Sequence, residues 1–245
     1  MYPMNSKPAL MLLPGLMCNE AVWTPLLGDL ETLFDCHIVD HGLADDLSVM
    51  AQNVLASAPD QFYVAGHSMG GRVALEVYRL APKRLKGMVL MDTGFLPLPA
   101  GQAGLDDRAK RQVLLDLAHQ KVLRAMASEW VKGMVAPSRL QDLSLIESIL
   151  AMFDTKTVTH FDHQIRALLN RPDGSPVLQS MSCPVSLICG ELDAWSPVSQ
   201  HEQMSELLST HPSVQVIQGA GHMCTMEEPE KVAHAMLSTL ERMNK

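Results

Sequence analysis

Val64-Ala65-Gly66-His67-Ser68-Met69-Gly70-Gly71 lies between the apolar run Phe62-Tyr63-Val64-Ala65, which it overlaps, and a helix-compatible run, Arg72 to Tyr78. Strand, tight turn and helix around Gly-x-Ser-x-Gly predict a nucleophile elbow. A serine at the apex of so sharp a turn takes strained backbone angles. The residues two positions either side must be nearly free of side chain, so that strand and helix can approach. The outcome is an exposed hydroxyl beside a helix N-terminus, whose N–H groups and positive dipole end suit a developing oxyanion. Three fixed positions recur by chance in about one chain in ten of this length. The flanking elements and any remote partners therefore carry the weight.

Upstream, Ala9-Leu10-Met11-Leu12-Leu13 is a continuous apolar run ended by Pro14-Gly15, the pattern of a strand covered on both faces. Glu20 to Phe34 reads as a helix with Val22, Trp23, Leu26, Leu27, Leu30 and Leu33 along one stripe, and Trp23 reads as core. Cys36 to Val39 is a second strand, and Leu43 to Ala58 a second helix closed by Pro59. Past the elbow, its helix runs to Leu80, and Leu85 to Met91 forms the next strand before Asp92-Thr93-Gly94. Strand and helix alternate with short connections, which implies a parallel sheet wrapped by helices with ligands at the carboxyl ends of the strands.

From Phe95 to Met181 the alternation stops. Leu96-Pro97-Leu98-Pro99-Ala100-Gly101 reads as a linker, followed by helical patterns over about 108–131, 139–153 and from Val158 to about Arg171. Residues 95–181 are therefore expected to form a helical lid inserted in a core of 1–94 and 182–245. The sheet pattern resumes at Pro184 to Gly190, with a helix over Pro197 to Leu208, a final strand Val214 to Ile217 and a closing helix Pro229 to Met243. Glu191-Leu192-Asp193 follows the first of these strands and Gly219-Ala220-Gly221-His222 the second.

Ser68, Asp193 and His222 would thus emerge on one edge of one sheet. A serine hydroxyl attacks poorly until an imidazole takes its proton, and that imidazole needs a carboxylate on its other nitrogen. Gly219 and Gly221 would let the loop carrying His222 fold back toward Ser68. Asp92 also lies at the carboxyl end of a strand; Asp40 reads as structural.

With these motifs in this order the chain resembles the α/β-hydrolase-fold serine hydrolases, the carboxylesterases and enol-lactonases among them, along nearly its whole length. The resemblance implies an α/β fold with a mainly parallel sheet flanked by helices and an inserted lid. It assigns Ser68 as nucleophile, Asp193 as acid, His222 as base, and the backbone N–H groups of Leu16 and Met69 as the oxyanion hole. Asp92 is the rival acid, since some members of the family place the carboxylate after the strand following the elbow. Two departures stand out. Pro14-Gly15 replaces the usual His-Gly of the first loop. The family's leading antiparallel hairpin has no counterpart before Ala9, so a sheet about two strands shorter at its N-terminal edge is expected.

Composition narrows the class further. The chain has 245 residues, 47% of them hydrophobic, and a net charge of −8, which argues against a nucleic-acid partner. Its five cysteines, Cys18, Cys36, Cys183, Cys189 and Cys224, follow no disulfide or zinc spacing. No metal or cofactor is expected. No run approaches the ~18 apolar residues of a membrane span, and a cytoplasmic location is expected. Met17, Cys18, Met69, Trp195, Met223 and Cys224 flank the motifs and would line an apolar pocket; His160, His163 and Arg166 could meet a polar substrate group from the lid. His67 is expected to be held by a local hydrogen bond, while His37, His119, His201, His211 and His234 read as solvated.

The resulting expectation is a serine hydrolase of a small or medium acyl ester, with enol-lactone, thioester or β-ketone carbon–carbon cleavage as alternatives sharing the triad. A ligand receptor that keeps the fold without turnover is the alternative from another class.

Overall fold

Ala9–Leu13 (β1) is buried along its whole length, as its unbroken apolar run requires of a strand covered on both faces. The chain is described by a computed structural model over residues 7–120 and 123–243. After β1 come α1 (Thr24–Leu30), β2 (Asp35–Ile38), α2 (Leu47–Ser57), β3 (Phe62–His67), α3 (Met69–Leu80) and β4 (Leu85–Met91). Five helices then intervene: α4 (Gln102–Gln120), α5 (Leu123–Trp130), α6 (Leu143–Asp154), α7 (Val158–Leu169) and α8 (Ser175–Gln179). The chain closes with β5 (Val185–Gly190), α9 (Val198–Leu207), β6 (Val214–Ile217), α10 (Cys224–Glu227) and α11 (Pro229–Met243).

The six strands form one sheet in the order β2-β1-β3-β4-β5-β6, each pair of neighbours parallel. Because β2 lies on one side of β1 and β3 on the other, the chain reverses direction across the sheet there. Connections leaving β1 and β3 diverge, and a crevice opens between their carboxyl ends. Leu13 is in register with Gly66, so Gly15-Leu16 and Ser68 both emerge into that crevice. Helices α1 and α11 pack together, as do α2 and α3. Trp23 is fully buried in the core. Among the described residues no helix is long and apolar enough to cross a membrane.

Several helices start later than periodicity predicts. Pro25 cannot supply the N–H that a helix running through from Glu20 would need, so Glu20–Val22 forms a separate 3-10 turn and α1 begins at Thr24. Asp46 caps α2, its Oδ1 accepting from the N–H groups of Ser48 at 2.8 Å and Val49 at 3.1 Å. Asp142 does the same for α6 through the N–H of Leu145 at 3.1 Å. Each cap satisfies first-turn donors that would otherwise be orphaned, and so fixes the start.

Candidate active site

Ser68 joins β3 to α3 with φ 55° and ψ −118°, a positive φ that a side-chain-bearing residue adopts only where its surroundings impose it. The surroundings are tight. A Cβ at Gly70 would stand 2.1 Å from the carbonyl oxygen of Leu13, and one at Gly66 would stand 2.4 Å from that of Gly70. Ser68 is pinned on both backbone sides: its N–H donates to Met91 at 2.9 Å, and Thr93 Oγ1 donates to its carbonyl at 2.6 Å.

The hydroxyl of Ser68 donates to His222 Nε2 at 2.8 Å, and His222 Nδ1–H donates to Asp193 Oδ2 at 2.8 Å. Asp193 Oδ1 accepts from the N–H groups of Trp195 at 2.8 Å and Ser196 at 3.0 Å, so both carboxylate oxygens are engaged. Burial opposes charge on both partners, yet their mutual attraction prevails. Asp193 is held below the usual carboxylate range and His222 above the usual imidazole range.

Asp92 lies in the same buried layer but is wired differently. Its Oδ1 accepts from Gly190 N–H at 2.7 Å, and its Oδ2 is 3.8 Å from His67 Nε2. Burial, then the charge of Asp193, pushes its carboxyl up to about 7. Asp92, Cys189 and Asp193 place one potential ligand atom each within 4.8 Å of one another. Asp193 has no free oxygen to offer there, and burial followed by the two carboxylates drives the Cys189 thiol upward, away from thiolate.

The expected backbone donors meet the same crevice. Leu16 and Met69 both line a cavity of about 550 Å³ with Ser68 and His222. Neither N–H meets an acceptor among the described residues, and that of Met69 is the first of α3, which has no intrahelical partner. Pro14-Gly15 fits here because a Cβ at Gly15 would lie 3.1 Å from Ser68 Cβ, while Pro14 offers its carbonyl to His41 Nε2–H at 3.1 Å.

Cys18, Trp195 and Met223 also line the cavity; Met17 does not, being fully buried at φ 60°. Burial drives the Cys18 thiol up to about 12, which leaves it inert. The Trp195 ring lies 4.8 Å from that of His222 and stacks on Trp130 of α5 at 5.4 Å.

His160, His163 and Arg166 are not brought to the cavity. His160 closes a capping box with Thr157, His163 Nδ1–H donates to the Leu43 carbonyl at 2.6 Å, and Arg166 pairs with Asp45 at 2.9 Å. His163 and Arg166 thus tie α7 to the loop after β2. His67 is also placed differently from expectation: its Nε2–H donates to the carbonyl of His222 at 2.8 Å, a bond spanning 155 residues rather than a local one. His201 is buried, not solvated, and its Nε2 accepts from Thr93 N–H at 3.2 Å.

Comparison with known proteins agrees with this architecture. A profile of the alpha/beta hydrolase family matches residues 10–235. The chain belongs to the alpha/beta hydrolase family. Within it, a pimeloyl-acyl-carrier-protein methyl ester esterase of Yersinia pseudotuberculosis is 28% identical over 254 residues, covering 96% of this chain and 94% of that one. A biotin biosynthesis bifunctional protein of Cellvibrio japonicus is 22% identical over 248 residues, covering 97% of this chain; this chain spans 48% of that protein's length. The structure of a thermophilic esterase from Thermogutta terrifontis superposes with a TM-score of 0.85 at 22% identity, covering 98% of this chain and 92% of that one. Relatives of this kind support a hydrolytic activity.

Two residues that local pattern does not reveal hold this alpha/beta hydrolase site together. Gln164 of α7 accepts from Met17 N–H at 2.8 Å, fixing the turn that carries Leu16. Glu227 of α10 accepts from Gly221 and Met223 N–H at 3.0 and 3.1 Å with one oxygen, and from Ala136 N–H at 2.7 Å with the other. It ties the loop of His222 to the segment between α5 and α6. Both side chains are buried, and each has a partner more than 90 residues away, so only sequence covariation could have exposed them.

Proposed function

We propose that the chain is a cofactor-independent serine hydrolase that cleaves a carboxylic ester of a small or medium acyl substrate through an acyl-enzyme on Ser68. The observation that carries this reading is the unbroken relay from Ser68 through His222 to Asp193, at 2.8 Å for each bond, on the wall of a substrate-sized cavity.

His222 Nε2 takes the hydroxyl proton as Ser68 Oγ attacks the ester carbonyl. Asp193 fixes the imidazole tautomer and stabilises the cation formed. The N–H groups of Leu16 and Met69 receive the oxyanion, each worth about 10²–10³ in rate in comparable sites. His222 then gives its proton to the departing alcohol. A water molecule, deprotonated by the same nitrogen, attacks the acyl-enzyme and releases the acid with Ser68 restored. In this reading residues 95–181 act as the lid over a core of 1–94 and 182–245, contributing Trp130 and Leu168 to the cavity wall. The methyl ester named for the Yersinia relative is a reasonable first substrate class.

Replacing Ser68 by alanine tests the reading. Hydrolysis of a short p-nitrophenyl ester should fall at least about 10⁴-fold, with the melting temperature preserved. Undiminished turnover in that variant would remove Ser68 from the mechanism.

A further inference from the structure

The cavity that Ser68 lines is rich in basic side chains. Arg72, Lys110, Arg111 and Arg171 line it with a single carboxylate, Asp107, in a chain whose net charge is −8. Asp107 is fully used: Arg111 Nε donates to its Oδ1 at 2.8 Å and Arg171 Nη2 to its Oδ2 at 2.9 Å. Arg72 has no carboxylate within ion-pair distance among the described residues. Its Nη1 donates to the Leu96 carbonyl at 2.9 Å. Its Nη2 lies over Gly94, where a Cβ would stand 2.5 Å from that nitrogen and 2.9 Å from Gln200 Oε1. A glycine is what lets the guanidinium and the carboxamide sit side by side there.

Ser68 is the residue before α3 and Arg72 the fourth residue of that helix, about one turn further along the chain, and both line the cavity. A mostly buried cation surrounded by like charges is costly unless an anion joins it. Burial, followed by the charges of Arg171 and Arg111, brings Arg72 down to about 9, which leaves it charged at neutral pH. Pinning Leu96 would require one arginine. It would not require three guanidinium groups converging on one cavity.

We infer that the cavity takes an ester carrying a carboxylate a few atoms from its scissile carbonyl, with Arg72 and Gln200 as the anchor for that carboxylate. This deepens the proposed function and rests on Ser68 being the nucleophile. The spacing of one turn points to short half-esters rather than long fatty acyl chains. Lys110, exposed on α4, adds positive potential where such a substrate enters.

The test compares kcat/KM for a charged ester with that for its uncharged counterpart. Monomethyl glutarate against dimethyl glutarate places the carboxylate on the acyl side; 4-acetoxybutanoate against its methyl ester places it on the alcohol side. At least one pair should favour the anion by about tenfold or more in the wild type, with the preference shrinking as salt is raised. Arg72→Met should lower the anion-to-neutral ratio at least tenfold, and Arg72→Lys should restore part of it. Equal or faster cleavage of the neutral ester in both pairs overturns the inference, as does an unchanged ratio in a folded Arg72→Met variant. Should that variant not fold, the wild-type ratios and their salt dependence decide. Neutral esters cleaved through Ser68 with no preference for the anion sink this inference alone. No cleavage of any ester, or full activity in Ser68→Ala, sinks the ester reading as well.

Discussion

His67 Nε2–H donates to the backbone carbonyl of His222 across 2.8 Å, so the residue before the elbow serine holds the loop of the histidine that the serine faces. A carbonyl only accepts, which assigns the proton of His67 to Nε2. Burial, then the neighbouring His222, pushes His67 down to about 4, so the ring is neutral at working pH. The bond makes elbow and histidine loop one unit.

His67→Leu should therefore lower stability by about 1–3 kcal/mol, the cost of a buried acceptor left without its donor. It should also reduce kcat about tenfold. His67→Gln, whose amide nitrogen reaches a similar place, should recover most of both. Thermal melts and kcat on one ester check this; a leucine variant at full kcat would show that the loop is held without the bond.

The two buried aspartates should respond oppositely to asparagine. Asp193→Asn is expected to lose about 10⁴ in kcat, because an amide cannot hold the His222 tautomer. Its acidic rate limb should also move to lower pH, since Asp193 is what holds His222 above its ordinary range. Asp92→Asn should keep the rate, because asparagine resembles the protonated acid that burial favours. The folded value of Asp92, about 7, lies above the ordinary 3.8. Its contribution is fully present below that lower value and is lost as pH rises through about 7. Asparagine cannot ionise, so the variant should gain on the wild type between those limits, by on the order of a few kcal/mol. Denaturation at about pH 5 and about pH 8 measures this. A rate collapse confined to Asp92→Asn would instead give Asp92 the role of acid.

The sheet was legible because apolar runs such as Ala9–Leu13, and Val185–Gly190 with Ser186 its one polar residue, have one good use, a strand covered on both faces. Ser68, Asp193 and His222 were legible as positions because each follows a short strand pattern, the last of them the Val-Gln-Val-Ile of β6. Their meeting within hydrogen-bond distance required the fold. Helix starts were hidden in single caps, Asp46 and Asp142, which periodicity does not register. His163 and Arg166 illustrate a misread face. Phe161, Ile165 and Leu168 are the buried stripe of α7, and the two polar residues fall on the far side of it, toward Leu43 and Asp45. Arg72 passed as an ordinary helix residue because its significance depends on Arg111 and Arg171, which arrive from α4 and from the turn after α7.

Gln164 supports the backbone turn that carries Leu16. Its Oε1 accepts from Met17 N–H at 2.8 Å, and Met17 sits at φ 60°, a conformation that needs outside support. Gln164→Leu removes the acceptor and should let that turn relax. A donor that acts only on the oxyanion affects the transition state more than substrate binding. The expected result is kcat lower by about ten- to a hundredfold with KM nearly unchanged. A variant that raises KM alone would place Gln164 in substrate binding instead.

Glu227→Gln separates the two things that Glu227 does. The glutamate oxygens serve two directions: Oε1 receives Gly221 and Met223 N–H, and Oε2 receives Ala136 N–H at 2.7 Å. Glutamine has one carbonyl oxygen, and keeping it on Gly221 and Met223 turns its NH₂ toward the Ala136 N–H, donor against donor. The His222 loop stays in place while the segment between α5 and α6 loses its tether. That segment packs closely, since a Cβ on Gly221 would stand 2.5 Å from Ala136 N, so the lost bond leaves a buried donor unsatisfied. A stability loss of about 1–3 kcal/mol is expected, with KM raised and kcat close to wild type. Glu227→Ala removes all three acceptor contacts and should lower kcat as well. Steady-state kinetics on the pair decide between these roles: a glutamine variant with reduced kcat and unchanged KM would mean that the tether at Ala136, rather than the loop contacts, positions His222.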